Sequence, residues 1–198
     1  MEATISSEAI PETDLDLVQR HRYGDTEAFD EIYHRYGAMI YNLAFRLSGD
    51  LDLAADLTQE VFLRAFRHLE RFRGRSSLKT WLYRVGLNHC RSRLSRRRWF
   101  FVPVAEEEPT EGLQLVDQRR GPEERAMAGE RGRILRRALA KLPLQFREAI
   151  VLCDLEGLSY EEIAAVLGIR MGTVRSRIAR ARGKLKVLLE TMSLEVTP

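Results

Sequence analysis

Residues 157–177 read GLSYEEIAAVLGIRMGTVRSR, a stretch in which a glycine separates two helical patterns. Ser159 and Glu162 have the spacing of a capping box, which predicts that a short helix begins directly after the serine. Gly168 is typical of the residue that ends such a helix, and Thr173 begins a longer one. Two helices joined by a short glycine-bearing turn predict a helix-turn-helix unit.

The longer helix has an apolar side and a polar side with different predicted roles. Val174, Ile178 and Ala181 share the apolar side, which we expect to face the core of the domain. Arginine can form paired hydrogen bonds with a guanine edge and serine can donate or accept, so the polar side suits the major groove of DNA. Short helices joined by glycine turns also occur in ordinary bundles, which is the alternative. The polar side consists of Arg175, Ser176, Ala179 and Arg180, with Arg177 and Arg182 on its flanks as candidates for phosphate contacts.

Charge is strongly segregated along the chain. The net charge is only +3, from 32 basic and 29 acidic residues, but residues 1–63 carry −9 and residues 64–98 carry +11. Residues 99–130 return to −5 and residues 131–186 to +8. Two basic segments separated by an acidic one are typical of a nucleic-acid binder with two contact regions, because clustered cations displace counterions from phosphates. Solvated helix faces are the alternative interpretation.

The first half of the chain also has helical periodicity. Apolar residues at three- and four-residue steps predict a helix over 29–47. A second helix is predicted over 53–71, with Phe66 among the residues on its buried side. A third is predicted over 78–98, with a bend near Gly86. Every strong periodicity in the chain is helical, so the predicted fold class is all-α.

The helical patterns divide the chain into two small domains joined by a flexible acidic linker. The linker contains prolines, glycines and many glutamates, which interrupt helices and keep a chain solvated. About thirty flexible residues have a root-mean-square reach of roughly 30 Å, so rigid docking of the domains is not required. The predicted boundaries are a disordered segment at 1–14, a first domain at 15–98, a linker at 99–128, a helix-turn-helix domain at 129–190 and a tail at 191–198.

Composition and motifs exclude several classes of protein. Two cysteines in 198 residues are too few for a disulfide scaffold, and no apolar run approaches the roughly 20 residues of a membrane helix. The acidic N-terminus is opposite in charge to a secretory signal. Without a phosphate-binding loop, zinc-protease helix or nucleophile elbow, we expect a cytoplasmic protein that is not an enzyme and needs no cofactor or metal. Cys153 is expected in a core and His89 on the basic surface.

Three motifs resemble the extracytoplasmic-function (ECF) group of bacterial sigma factors, the smallest members of the housekeeping sigma family. The resemblance covers about residues 15–97 and 125–188. It implies two helical domains that bind core RNA polymerase and promoter DNA and direct promoter-specific initiation, usually under the control of an anti-sigma factor. The motifs, in the order and spacing of the family, are DLTQEVF at 56–62, FRG at 72–74 with SLKTWLYR at 77–84, and GLSYEEIA at 157–164 with GTVRSR at 172–177.

The resemblance assigns two surfaces to the first domain. Asp56, Gln59 and Glu60 match the polar face that docks on the clamp helices of the largest polymerase subunit, although such a face is commonly just solvated. Trp81 also falls on the core stripe of its helix, and Asn88 could be a turn residue, so both have structural alternatives. The residues that match the part meeting the minus-10 element and its melted single strand are Arg73, Lys79, Thr80, Trp81, Arg84, Asn88 and Arg91.

The second domain resembles the one that binds duplex DNA at the minus-35 element. Residues 106–111 of the linker correspond to a segment that runs through the polymerase channels in the family, and a soluble tether is an equal alternative. A stand-alone repressor would bind duplex DNA tightly without polymerase. A recombinase would need a nucleophile or an acidic cluster near residues 64–98, where Glu70 is the only acid. The residues matched to minus-35 binding are Thr173, Arg175, Ser176, Arg177, Ala179 and Arg180.

Overall fold

The regular structure is helical throughout residues 13–97 and 122–196, the part of the chain that this computed structural model describes. The predicted all-α class with two helical domains is confirmed. None of the helices in these ranges combines the length and the apolar content needed to cross a membrane. The helices are α1 (Asp14–Arg22), α2 (Glu27–Ser48), α3 (Leu51–His68), α4 (Leu78–Arg97), α5 (Pro122–Lys141), α6 (Leu144–Ile150), α7 (Tyr160–Leu167) and α8 (Met171–Val196), with a 3-10 turn at Leu69–Arg71 and a π-helical turn at Val151–Leu155.

Side-chain and glycine caps fix the ends of the helices in the first domain, α1 to α4. Thr13 and Asp16 form a capping box at the start of α1. Asp50 accepts a hydrogen bond of 2.9 Å from the backbone N–H of Leu53 at the start of α3. Gly49 ends α2 with a φ of 75°, a conformation that costs little only for glycine. The sharp connection lets α3 fold back on α2, and α4 completes the packing against both.

Gly86 lies inside α4, which continues as a helix through the position where the sequence predicts a bend. A Cβ atom at this position would lie 3.3 Å from Ile40 Cδ1 and 3.4 Å from Leu43 Cδ2. The glycine therefore allows α4 to approach α2 closely.

Gly86→Val is expected to destabilise the chain by about 1–3 kcal/mol, because the added side chain overpacks the contact between α4 and α2. Gly183→Val in α8 is the control, since a Cβ atom there meets nothing within 4 Å. Urea unfolding followed by circular dichroism measures the free energy of unfolding of both variants. Equal stabilities would contradict the close approach at Gly86.

The second domain, α5 to α8, contains the predicted helix-turn-helix. Ser159 Oγ accepts from the backbone N–H of Glu162 at 3.2 Å, and Glu162 Oε2 accepts from the backbone N–H of Ser159 at 2.8 Å, which completes the capping box. Gly168 ends α7 with a φ of 67°. Val174, Ile178 and the rest of the apolar side of α8 are buried against the domain. The capping box, the glycine that ends α7 and the apolar side of α8 therefore determine the helix-turn-helix.

Two helices extend beyond the boundaries that the sequence predicts. α5 begins at Pro122, so the last seven residues of the predicted linker 99–128 are helical. α8 continues to Val196 and includes most of the predicted tail 191–198. Thr13 and Asp14, the last two residues of the predicted disordered segment 1–14, are the N-cap and the first residue of α1. The predictions made for residues 1–12 and for the other linker residues, the acidic run 106–111 among them, stay predictions. Residues 1–12, 98–121 and 197–198 lie outside the described ranges.

The two domains pack against each other, although a flexible linker does not require rigid docking. α4 lies against α7, and α2 lies against α5 and the π-helical turn. One continuous cluster of buried side chains includes Leu47 and Leu87 of the first domain with Leu152 and Leu167 of the second. Docking therefore removes apolar surface of both domains from water, which is the physical reason for it.

Candidate nucleic-acid and protein interfaces

The polar side of α8 is open to solvent. Within the described residues, no carboxylate lies at ion-pairing distance from Arg175 or Arg180. Ser176 Oγ donates to the backbone carbonyl of Thr173 at 3.1 Å, and its lone pairs remain available to accept. These side chains can therefore meet the edge of a base without first breaking an internal ion pair. Of the residues matched to the minus-35 element, Thr173, Arg175, Ser176, Ala179 and Arg180 are exposed and Arg177 is half-buried.

Arg182 differs from the other arginines of α8 because it pairs with Asp154. Its Nε lies 3.0 Å from Asp154 Oδ2, and its Nη2 lies 2.5 Å from Oδ1. The hydrogen bonds from Arg182 lower the pKa of Asp154, so the carboxylate stays charged. The pair joins α8 to the π-helical turn at Val151–Leu155. Arg182 therefore positions α8, whereas the sequence suggested a phosphate contact for it.

The arginines, the lysine and the asparagine matched to the minus-10 element fall into two groups. Arg73, Lys79 and Asn88 are exposed on α4 and on the turn that precedes it. Arg84 and Arg91 instead donate hydrogen bonds to groups of the second domain. In this arrangement of the domains, Arg73, Lys79 and Asn88 are thus accessible to a nucleic acid. Arg84 and Arg91 are engaged in hydrogen bonds with the second domain.

Thr80 and Trp81 are part of the packing of the first domain. Thr80 is buried, and its hydroxyl lies 2.8 Å from Ser77 Oγ in the first turn of α4. Trp81 is half-buried against the apolar core, with its ring centroid 5.7 Å from that of Phe72. Thr80 is therefore a helix-start residue rather than a surface donor, which differs from its predicted place on the DNA-binding surface. For Trp81 the structure favours the core alternative.

The polar side of α3 also carries exposed apolar side chains. Asp56 and Gln59 are exposed and Glu60 is half-buried. Leu63 is 58% exposed and Phe66 is 43% exposed on the same side of the helix. The prediction that Phe66 is buried is wrong. The side of α3 thus combines polar groups with an exposed apolar strip, as protein interfaces commonly do.

Glu60 is held by two residues of α4. His89 Nε2 forms a hydrogen bond with Glu60 Oε2, and Arg93 Nη2 lies 3.3 Å from Glu60 Oε1. His89 is only 6% exposed, so the prediction that it lies on the basic surface is wrong. A buried imidazole needs a hydrogen-bond partner, and Glu60 supplies it. The contact fixes the carboxylate at the edge of the polar side of α3.

The two cysteines are free thiols in different surroundings. Cys90 is fully buried, and burial raises its pKa to about 12. Cys153, which was expected in a core, is half-buried and packs against the cluster shared by the domains. Its Sγ lies 3.7 Å from Arg182 Nη2. In the described part of the chain, no three His, Cys, Asp or Glu side chains come together as a metal site would need.

Two family models match the two domains separately. The model described as Sigma-70 region 2 matches residues 32–100, and the one described as Sigma-70, region 4 matches residues 132–185. The ECF RNA polymerase sigma-E factor of Escherichia coli K12 is 40% identical over 176 residues, which are 86% of this chain and 91% of that protein. The chain belongs to the ECF sigma factors. Sigma factors are transcription initiation factors and not enzymes.

Two further sigma factors resemble this chain over most of its length. The RNA polymerase sigma-H factor of Pseudomonas aeruginosa is 36% identical over 188 residues, 93% of this chain and 97% of that protein. The ECF sigma factor SigE of Mycolicibacterium smegmatis is 39% identical over 168 residues, 85% of this chain, and the match spans 64% of that longer protein.

The solved structures extend the resemblance to the fold. CnrH in complex with the cytosolic domain of CnrY has a TM-score of 0.67 and 30% identity, covering 91% of this chain and 99% of that one. The sigma factor RpoE of Bartonella quintana, in complex with the anti-sigma factor NepR, has a TM-score of 0.64 and 28% identity, covering 83% and 98%. In this ECF sigma factor, α2 to α4 correspond to region 2, and α8 with the helices before it corresponds to region 4.

Proposed function

We propose that this ECF sigma factor binds core RNA polymerase through its first domain and directs promoter-specific initiation by contacting DNA with both domains. The observation that carries the proposal is the outer face of α8. It presents Arg175 and Arg180, which are exposed and have no carboxylate partner among the described residues, on the second helix of a helix-turn-helix. That helix is the one that enters the major groove in such units.

At the minus-35 element, the residues of α8 divide into two roles. Arg175 and Arg180 are placed to form bidentate hydrogen bonds with guanine edges, and Ser176 accepts from or donates to a base. Ala179 leaves room for close approach and can contact a thymine methyl group. Arg177 lies towards the flank of the helix, where it is placed to hold a phosphate.

At the minus-10 element, α4 and the turn before it supply a basic surface for a melted strand. Arg73 and Lys79 are exposed and attract phosphates, while Asn88 offers an amide for reading an unpaired base. Because Trp81 packs on Phe72, base reading in this proposal depends on Asn88 and on charge, not on an aromatic wedge.

On the polymerase, the polar side of α3 is the proposed docking surface. Asp56 and Gln59 provide charge and hydrogen bonds. Leu63 and Phe66 provide apolar surface that is removed from water on binding. Such a mixture of anionic and apolar groups fits a basic helical surface of the largest polymerase subunit.

Regulation by an anti-sigma factor is part of the proposal. RpoE of Bartonella quintana was solved with the anti-sigma factor NepR, and it shares the fold of this chain over most of both lengths. We infer the same kind of partner here, and action in the cytoplasm, where RNA polymerase works. The predicted domain limits, 15–98 and 129–190, remain part of this proposal.

Transcription from a promoter library tests the function directly. Purified chain and core RNA polymerase are incubated with a library of randomised upstream sequences, and the 5′ ends and templates of the transcripts are sequenced. We expect enrichment of two sequence blocks at a fixed spacing, absent from the reaction with core enzyme alone. Transcripts with no enrichment over core enzyme alone would contradict the proposal.

A further inference from the structure

The carboxylate of Glu60 is held by two side chains of α4 but is not enclosed by them. His89 Nε2 forms a hydrogen bond with Glu60 Oε2, and Arg93 Nη2 lies 3.3 Å from Glu60 Oε1. The Glu60 side chain remains 38% exposed. The carboxylate is therefore oriented by its own chain and is still accessible to a partner.

His89 is anchored in the interior of the first domain. Its side chain is 5% exposed, and two other residues of the same helical turn, Leu87 and Cys90, are fully buried. An ionised carboxylate only accepts hydrogen bonds, so His89 Nε2 carries the hydrogen and donates it to Glu60. A ring that is packed in the interior has little freedom to turn away. The contact therefore sets the direction of Glu60 Oε2.

Arg93 contacts the other oxygen of Glu60 more loosely. Its side chain is 44% exposed, and the N–O distance of 3.3 Å is longer than in a typical charge-assisted hydrogen bond. Ion pairs between exposed side chains contribute little to stability, because water and salt screen the charges. A second cation that approaches Glu60 Oε1 from solvent can therefore replace Arg93, whereas it cannot reach the buried position of His89.

A carboxylate that is oriented before its partner arrives is favourable for binding. A freely rotating glutamate loses rotamer freedom when it forms an ion pair with another protein, and that loss opposes association. His89 already restricts the Glu60 side chain in the free chain. The carboxylate oxygens keep lone pairs that can accept from an incoming donor. Glu60 is thus preorganised to bind a cationic side chain.

We propose that His89 is a positioning residue for the binding of core RNA polymerase. By holding Glu60 Oε2 from the buried side, it directs Oε1 towards an arginine or lysine of the largest polymerase subunit, which takes the place of Arg93. This inference rests on the proposed docking of α3 on that subunit. The alternative is a core histidine whose hydrogen bond only stabilises the first domain. The effect of His89 on core binding would then not depend on Glu60.

Substitutions of His89 in the full chain separate these two roles. His89→Leu keeps a side chain of similar size but has no hydrogen-bond donor, and His89→Asn, with a shorter amide, replaces it if the leucine variant does not fold. His89→Gln is the conservative variant, because its amide nitrogen can donate to Glu60. Thr58→Val is the matched control for the loss of a buried hydrogen-bonding group. The Thr58 hydroxyl is buried and donates to the carbonyl of Ala54 at 2.7 Å within α3.

A double-mutant cycle measures the coupling between His89 and Glu60. His89→Leu is made in the parent chain and in a Glu60→Ala chain. Competition with a labelled sigma factor gives the dissociation constant of each of the four chains for core RNA polymerase. Arg93→Ala tests the exchangeable contact in the same assay. Urea unfolding followed by circular dichroism gives the free energy of unfolding of every variant, so that core affinity and stability are measured separately.

We expect His89→Leu to weaken core binding by about three- to tenfold, and His89→Gln to stay within about twofold of the parent chain. In the Glu60→Ala chain, which itself binds more weakly, His89→Leu should cause no further loss. Arg93→Ala should bind core enzyme at least as tightly as the parent chain. Thr58→Val should lose stability without losing core affinity.

Equal core affinity of His89→Leu and the parent chain would overturn the proposal. So would an equal loss with and without Glu60, or a loss in His89→Gln as large as in His89→Leu, because each result would limit His89 to a role in stability. A loss of the same size in Arg93→Ala would contradict the exchange of partners at Oε1. Failure of the proposed function is distinct, since the parent chain itself would then not bind core enzyme.

Discussion

Arg175→Ala is expected to change which upstream sequences the holoenzyme selects. Arg175 is exposed on the outer face of α8, and within the described ranges it has no carboxylate partner. A bidentate contact with a guanine is worth about 1–3 kcal/mol of discrimination against the wrong base. The variant should therefore lose preference at one upstream position by roughly 5- to 150-fold, as measured by sequencing transcripts from the promoter library.

Lys186→Ala is the matched control for this prediction. Lys186 lies farther along α8, its side chain is 77% exposed, and its removal also deletes one positive charge. If Lys186 contributes only to the overall positive potential of α8, the affinity for promoter DNA falls slightly in the variant. The preferred upstream sequence then stays the same. If Arg175→Ala and the parent chain select the same upstream sequences, Arg175 does not read a base.

Asp56→Ala is expected to weaken binding to core RNA polymerase by about tenfold or more. Asp56 is exposed on the same side of α3 as Leu63 and Phe66, so its loss removes a charged group from the proposed interface. Competition with a labelled sigma factor for a limiting amount of core enzyme measures the change. Because the side chain is exposed, the free energy of unfolding should change little.

Asp30→Ala controls for the lost charge. Asp30 is exposed in the first turn of α2 and outside the proposed docking surface. Phe66→Ala is expected to weaken core binding as well, since it removes apolar area from the same surface. The proposal would be contradicted if Asp56→Ala, Asp30→Ala and the parent chain bound core enzyme with equal affinity. The polar side of α3 would then face solvent and not polymerase.

Local signals in the sequence predict the helix-turn-helix well. The capping box of Ser159 and Glu162, the glycine at 168 and the apolar side of α8 all describe interactions between residues a few positions apart. Such interactions are set by the helical period and by backbone conformation, both of which can be inferred from sequence. The residues on the polar side of α8 could be predicted from the same helical period.

The contacts between domains could not be inferred in this way. Arg91 and Glu148 are separated by the linker, and neither lies in a motif that names its partner. An arginine-rich segment suggests an anionic partner, and the sequence alone cannot distinguish DNA from a carboxylate of the same chain. Shape complementarity between the two docked domains is a property of the folded surfaces and has no periodic signal.

The burial of individual side chains could not be predicted reliably either. His89 stands among arginines in the sequence, yet it points inwards and bonds to Glu60 of the neighbouring helix. Phe66 follows the apolar stripe of α3 but lies at its edge, where it contacts His21 and Phe29 and remains 43% exposed. A helical stripe predicts the direction of a side chain, while its burial depends on what packs there.

Permanganate and hydroxyl-radical footprinting of the reconstituted holoenzyme on a selected promoter would test most directly whether one chain reads two elements and opens one of them. We expect two protected regions, an upstream duplex region that Arg175→Ala alters and a downstream region with thymines reactive to permanganate only when the chain is present. A single protected region, or reactive thymines that appear equally with core enzyme alone, would contradict the account.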